Sequence, residues 1–386
     1  MNNTELFKNI LLPRLVEVAP RIQVILGPRQ VGKTTAIKAV LAQQHQPYHY
    51  ASADDLLIPA VPWLREQWAK AALLCRNAPE RRAILVIDEV QKILEWSEAL
   101  KSLWDNKSDD GLRVVLLGSS SLRIQTGLSE SLAGRFEVIR AYHWGLVESH
   151  EAFGFSLDDY LTFGGYPGAS QYRHDFARWY QYVKESIIDA VLMKDILGLR
   201  NVTKPALFRQ CFQIACAYPA QEVSYTKLLG QLQDRGNTDL VKHYLELFEG
   251  AYLIKSLLKY SPKPVIKKSS SPKILPLCPA LVTIALGPHL THVPEMRGRL
   301  LELAVGADLC RLPGDLFYWR ERGVEVDYVY AFAGELFAVE VKSGRQKSTA
   351  GLAEFCRRFK NAKPVLITEA NYKDFAQNPL EFLNQS

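Results

Sequence analysis

At 386 residues, with 48% apolar and 23% charged residues and a formal net charge of +6, the chain reads as a folded protein of two or three domains. This composition excludes extensive disorder, and no apolar run reaches the ~18 residues that span a bilayer, so no membrane partner is expected. The mild positive charge permits nucleic acid without demanding it, and six scattered cysteines with neither zinc-like pairing nor a charged leader ahead of an apolar run point to a reducing cytoplasm.

Residues 21–26, RIQVIL, predict a short β-strand that ends at Gly27, and TTAIKAVLAQQ predicts an amphipathic helix beyond it. Between them GPRQVGKT matches GxxxxGK[ST] in the strand-to-helix setting that a phosphate-binding loop requires. Gly27 and Gly32 permit backbone conformations in which successive N–H groups converge on phosphate oxygens, aided by the helix N-terminus. Gly27, Pro28, Arg29, Gln30, Val31, Gly32, Lys33, Thr34 and Thr35 are therefore assigned to ATP, with Lys33 reaching the β and γ phosphates and the Thr34 hydroxyl offered to Mg²⁺.

Residues 83–91, AILVIDEVQ, read as a buried parallel strand whose carboxyl end delivers Asp88 to the Mg²⁺, followed by Glu89, placed to polarise the attacking water. Glu89 as an ordinary solvated acid is the competing reading. A third apolar strand, residues 114–117, ends in GSSS and brings Ser119 and Ser120 to the same sheet edge. Ser119 is the better candidate for sensing the γ phosphate, while turn capping explains both serines equally well. Arg135, in SESLAGRFEVI, lies where a guanidinium could reach a neighbouring subunit's γ phosphate or simply face solvent.

The order GPRQVGKTT, VIDEVQ, LLGSSS, ESLAGR resembles the prokaryotic AAA-type ATPases that carry a C-terminal domain of unknown function, and the resemblance runs through nearly the whole chain. It implies an α/β fold with an additional-strand P-loop ATPase domain over residues 1–145, Asp88 and Glu89 as the Walker B pair, Ser119 near sensor 1, Arg135 as a finger candidate, and a homo-oligomer. It also implies a helical lid over residues 146–215, where amphipathic helices are interrupted at GGYPG, a hinge or a plain interhelical turn.

Residues 216–278 predict a winged-helix-like domain: a short helix, a turn near 234–237, a longer helix, then a Lys-rich wing. The second helix bears Asp239, Glu246 and Glu249 against Lys242 and His243, which is poor for a major groove. Lys255, Lys259, Lys263, Lys267, Lys268 and Lys273 form the candidate nucleic-acid patch, expected to contact DNA phosphates without sequence preference. A solvated hairpin whose lysines discourage edge pairing is the alternative.

Residues 279–386 predict a helix carrying Glu302 and then a hairpin in which Asp327 precedes Glu340 and Lys342, both on one face by the period of two. These residues resemble the PD-(D/E)XK nuclease superfamily, a restriction-endonuclease-like α/β fold. The resemblance implies a second Mg²⁺ or Mn²⁺ held by Asp327 and Glu340, completed by Glu302, with Lys342 stabilising a phosphodiester in transition. A surface hairpin of alternating charges is the plain reading. His289 and His292 have H-x-x-H spacing but no carboxylate to join them, and are not assigned a metal. Two readings of the whole follow: an ATPase that remodels or positions DNA, with the last domain binding or cutting it, or an ATP-controlled switch or scaffold in a regulatory or defence assembly whose nuclease-like fold only docks.

Overall fold

The computed structural model describes residues 3–55, 60–107, 111–118, 131–196, 202, 204–232, 237–262, 270–287, 293–344 and 349–385. They divide into two compact units, Met1–Tyr142 and His143–Ser386.

The first unit is built on a parallel sheet of β1 (Ile22–Leu26), β2 (Tyr48–Ser52), β3 (Ala83–Asp88), β4 (Leu112–Gly118) and β5 (Phe136–Arg140), in the order β2-β3-β4-β1-β5. β4 separates the P-loop strand β1 from the Asp88 strand β3, which is the additional-strand arrangement. β1, β3 and β4 are buried throughout, as strands covered on both faces must be, and their runs of Ile, Leu and Val supply that surface. On one face, Phe7, Leu11 and Leu15 from helical residues 3–15 join Ile37 and Val40 of the helix Lys33–Leu41 over Ile25, Val86 and Val115. Arg113 ties the end of that segment down, its Nε donating to the Leu15 carbonyl at 2.8 Å.

The second unit contains a seven-stranded sheet in the order β12-β11-β10-β9-β7-β8-β6. Its members are β6 (Gln221–Glu222), β7 (Ile254–Lys259), β8 (Lys273–Pro276), β9 (Asp315–Glu321), β10 (Val324–Phe332), β11 (Glu335–Lys342) and β12 (Ala362–Thr368). β9, β10 and β11 run antiparallel in succession, while β12 lies parallel to β11. Strands from both sides of residue 278 share this sheet, because β7 pairs in parallel with β9 through Leu258–Phe317 and Lys259–Tyr318. The helices Tyr225–Gly230 and Thr238–Gly250 precede β7, each started by a side-chain cap, Ser224 on the Lys227 N–H and Asn237 on the Leu240 N–H. Between Val326 and Val329 the pairing of β10 with β9 slips, a bulge that carries Asp327.

The main core of this unit gathers Leu300, Leu301, Leu303 and Ala304 of the helix Pro294–Leu309 with Tyr328, Val339 and Val341. A half-buried guanidinium joins two buried acids beside it: Arg311 bonds Glu148 at 2.7 Å and Asp308 at 3.1 Å, and Asp308 also accepts from the Tyr372 hydroxyl at 2.8 Å. Gly164 and Gly165 are points of close approach, since a Cβ on Gly165 would fall 1.8 Å from the Trp144 carbonyl oxygen and one on Gly164 2.6 Å from the Ala280 nitrogen. Packing of that kind makes them poor hinges.

Candidate functional site

In a parallel sheet every strand presents its carboxyl end on the same edge, and that edge assembles the nucleotide site. β1 ends at Gly27, and the loop turns through Gln30 at φ 60° and Gly32 at φ 81° before the helix begins at Lys33. Gly32 needs glycine for its left-handed backbone; Gly27 needs it for space, because a Cβ there would lie 2.4 Å from the Ala141 carbonyl oxygen. Lys33 is buried with its Nζ on the Pro28 and Gly27 carbonyls at 2.6 and 3.1 Å, which holds the ammonium over the loop.

The Thr34 hydroxyl donates to Asp88 Oδ2 at 2.7 Å, so the two groups expected to share Mg²⁺ are already neighbours. A hydroxyl and a carboxylate side by side at a P-loop fit that ion, with oxygen donors of the hardness it prefers. Asp88 is oriented further by the Tyr50 hydroxyl at 2.6 Å and by the Glu89 N–H on Oδ1 at 2.9 Å. Glu89 has a left-handed backbone, φ 54°, which turns its side chain out of the strand direction, and its carboxylate accepts from the Gln91 side-chain amide. Gln91 is itself buried, and its Oε1 has no hydrogen-bond partner among the described residues. Neither Tyr50 nor Gln91 is signalled by the sequence: Gln91 lies in AILVIDEVQ, but nothing in that pattern says that its amide returns to Glu89.

Ser119 and Ser120 follow β4 and lie outside the described residues. Arg135 forms a bidentate pair with Asp105 of the same chain, at 2.7 and 2.9 Å. Hydrogen bonding to that guanidinium holds Asp105 below the usual carboxylate range and raises Arg135.

In the second unit Asp327 lies on β10, Glu340 and Lys342 pair on β11, and Glu302 comes from the helix Pro294–Leu309. Lys273 corrects the expected patch. It is buried rather than exposed on a wing, because β8 lies inside the sheet between β7 and β6. Its Nζ bonds a Glu302 carboxylate oxygen, donates to the Asp327 backbone carbonyl at 3.0 Å, and stands 3.9 Å from Asp327 Oδ1. Arg299 meets the other Glu302 oxygen at 3.3 Å, the Val341 N–H takes Asp327 Oδ2 at 2.8 Å, and Lys342 takes Glu340 Oε1. Glu340 Oε2 is buried with no hydrogen-bond partner among the described residues.

Asp327 thus stands between Glu302 and Glu340. Burial, followed by repulsion from Asp327, pushes both glutamates up to about 7. Burial alone would lower Lys273, but Glu302 and Asp327 outweigh it and raise its pKa. Lys273 stays an ammonium because it faces two carboxylates, while Glu302 is also crowded by the like charge of Asp327. As arranged, these residues do not fit a divalent ion. An ammonium already joins Glu302 to Asp327, and among the described residues no group of three His, Cys, Asp or Glu side chains is gathered to hold a metal.

Of the remaining expected patch, Lys255 pairs with Glu249 at 3.2 Å and Lys259 is half-buried, while Lys263, Lys267 and Lys268, like His289 and His292, lie outside the described residues. No helix among the described residues is long and apolar enough to cross a membrane.

The sheet order, the P-loop and the Asp88–Glu89 pair define an AAA-type P-loop ATPase domain, and residues 19–150 match the family model described as AAA domain. Residues 154–288 and 297–382 match two further models, each described as a domain of unknown function, DUF8612 and DUF4143. The chain is similar to the uncharacterized protein MJ1544 of Methanocaldococcus jannaschii, 25% identical over 80% of this chain and 72% of that one. It is also similar to the uncharacterized protein Rv2008c of Mycobacterium tuberculosis, 27% identical over 86% and 72%. Among solved structures, the Thermotoga maritima RuvB Holliday junction branch migration motor overlays with a TM-score of 0.33 at 16% identity, covering 67% of this chain and 89% of that one. The Aeropyrum pernix Orc1 protein in complex with DNA overlays with a TM-score of 0.31 at 12% identity, covering 70% and 87%.

Proposed function

We propose that the chain hydrolyses ATP in its first unit and couples the turnover to nucleic acid, most simply DNA, bound by its second unit without sequence preference. The observation that carries the hydrolytic part is the Thr34–Asp88 contact at the head of the P-loop with Glu89 as the next residue. In this reading Lys33 draws charge from the β and γ phosphates and Asp88, oriented by Tyr50, holds the ion with Thr34. Bound Mg²⁺ would offset charge developing on the phosphate oxygens. Glu89, steadied by Gln91, orients the attacking water, and Ser119 follows the γ phosphate. Arg135 acts between subunits of a homo-oligomer once it leaves Asp105.

The DNA part rests on Lys255, Lys259 and the run Lys263, Lys267 and Lys268 between β7 and β8, with Lys273 withdrawn from it. Two helices followed by the antiparallel β7–β8 pair support a winged-helix reading of residues 216–278, and the helices over 146–215 a lid. A helix, three antiparallel strands, the helix Ala350–Arg358 and a parallel fourth strand support a nuclease-like reading of residues 279–386. The ammonium on Glu302 and Asp327 favours a second reading, in which that fold docks without cutting and the chain serves as an ATP-controlled switch or scaffold.

Lys33→Ala is expected to lose nucleotide binding, whereas Glu89→Gln keeps it and turns over ~10²–10⁴-fold more slowly. Unchanged turnover in Glu89→Gln would refute its role. DNA should accelerate turnover in a salt-sensitive way; turnover indifferent to DNA at low salt would remove the nucleic-acid reading. Plasmid incubated with Mg²⁺ or Mn²⁺ and wild type or Lys342→Ala separates cutting from docking.

A further inference from the structure

We propose that Lys273 is a built-in cation that occupies the carboxylate cluster of the second unit in place of a divalent metal ion, so that the cluster is closed to metal while β8 holds its present register. The inference deepens the nuclease-like reading and depends on it only for the kind of ion displaced.

Three observations support it together. Lys273 is 6% exposed, and its ammonium makes its polar contacts with Glu302 and with the carbonyl and carboxylate of Asp327, from a strand that enters the sheet from outside the helix and hairpin bearing the acids. Burying an ammonium is strongly unfavourable unless opposite charges offset it, so a lysine in this position stays only because carboxylates surround it. Next, the bulge at Val326–Val329 carries Asp327, whose Oδ2 accepts from the Val341 N–H at 2.8 Å and whose charge crowds both Glu302 and Glu340. Finally, Glu340 is 4% exposed, yet its Oε2 has no hydrogen-bond partner among the described residues, a buried acceptor available to a cation. An ammonium 3.9 Å from Asp327 Oδ1 repels a divalent ion at that carboxylate and blocks its bridge to Glu302.

The test is Mn²⁺ binding by the full, nucleotide-free chain, followed by electron paramagnetic resonance of free Mn²⁺ and by thermal unfolding with and without the ion. Wild type is expected to show no saturable Mn²⁺ site that Glu340→Gln removes. Lys273→Met, which keeps the length and deletes the charge, is expected to gain one such site and to unfold at a lower temperature that Mn²⁺ raises, and adding Glu340→Gln to it should abolish the gain. If Lys273→Met does not fold, Lys273→Met with Glu302→Gln restores the charge balance and should bind Mn²⁺ through Asp327 and Glu340. A wild-type site sensitive to Glu340→Gln overturns the proposal, as does a folded Lys273→Met or double variant that gains no site. DNA-stimulated ATP turnover on the same samples is a separate readout: its absence removes the coupling reading and leaves the Mn²⁺ result standing.

Discussion

Replacing Gly27 with alanine tests how the P-loop is positioned. The added Cβ would lie 2.4 Å from the Ala141 carbonyl oxygen and 2.9 Å from the Ala141 Cβ, where ordinary contact begins at 3.4 Å. Ala141 cannot yield easily: its N–H donates to the Leu26 carbonyl at 2.7 Å, and β5 just before it is paired with β1. The loop has to give instead, by about 1 Å, and a misplacement of that size at reacting groups costs roughly 10²-fold in rate. The accompanying overpacking should cost about 1–3 kcal/mol of stability. Initial ATP turnover, equilibrium binding of a fluorescent ATP analogue and a urea melt of the same sample measure the parts. Gly27→Ala should bind nucleotide weakly and turn over about a hundredfold more slowly while the melt shifts modestly. Wild-type turnover in a folded Gly27→Ala protein would refute the claim that loop position is set by contact with Ala141.

Gln91→Ala removes the amide that holds Glu89; turnover should fall about tenfold to a hundredfold with ATP affinity unchanged, and equal loss of affinity would contradict a positioning role. Arg311→Met strands Glu148 and Asp308 as buried acids, and should cost the second unit about 3–5 kcal/mol in a urea titration followed by tryptophan fluorescence. Burial pushes Glu148 up, but Arg311 beside it wins and holds it at about 2 against an ordinary 4.5, whereas burial prevails at Asp308 and raises it. Because the Glu148 value is depressed by folding, its contribution of about 3 kcal/mol is present above pH 4.5 and fades as pH falls toward 2, so wild type should lose stability over that window and Arg311→Met should lose less. Arg135→Ala should abolish any rise of turnover per chain with protein concentration, measured from nanomolar to micromolar; a rise that persists would assign the arginine to its Asp105 pair alone.

The nucleotide site is largely legible in sequence because its chemistry is local: GPRQVGKT carries its own turn and helix start, and a buried strand ending in Asp88–Glu89 needs only parallel packing to reach the same edge. What holds those groups is not legible, since Tyr50 comes from another strand and Gln91 turns back on a left-handed residue. In the second unit, the period of two separates Glu340 and Lys342 from Val339 and Val341, but it cannot locate the bulge in which Asp327 sits.

Lys273 marks the boundary between the two kinds of information. By itself the sequence determined that a P-loop, a carboxylate at the end of a buried strand and a set of acids and lysines near the C-terminus exist, because residue type and short-range spacing dictate those. Only the tertiary structure decided that the last lysine of a basic run lies in the core between acids 29 and 54 residues farther along, while Lys255 stays exposed. Pairing of β7 with β9 draws β8 into the sheet, and a charge drawn in with it must find carboxylates there or be expelled.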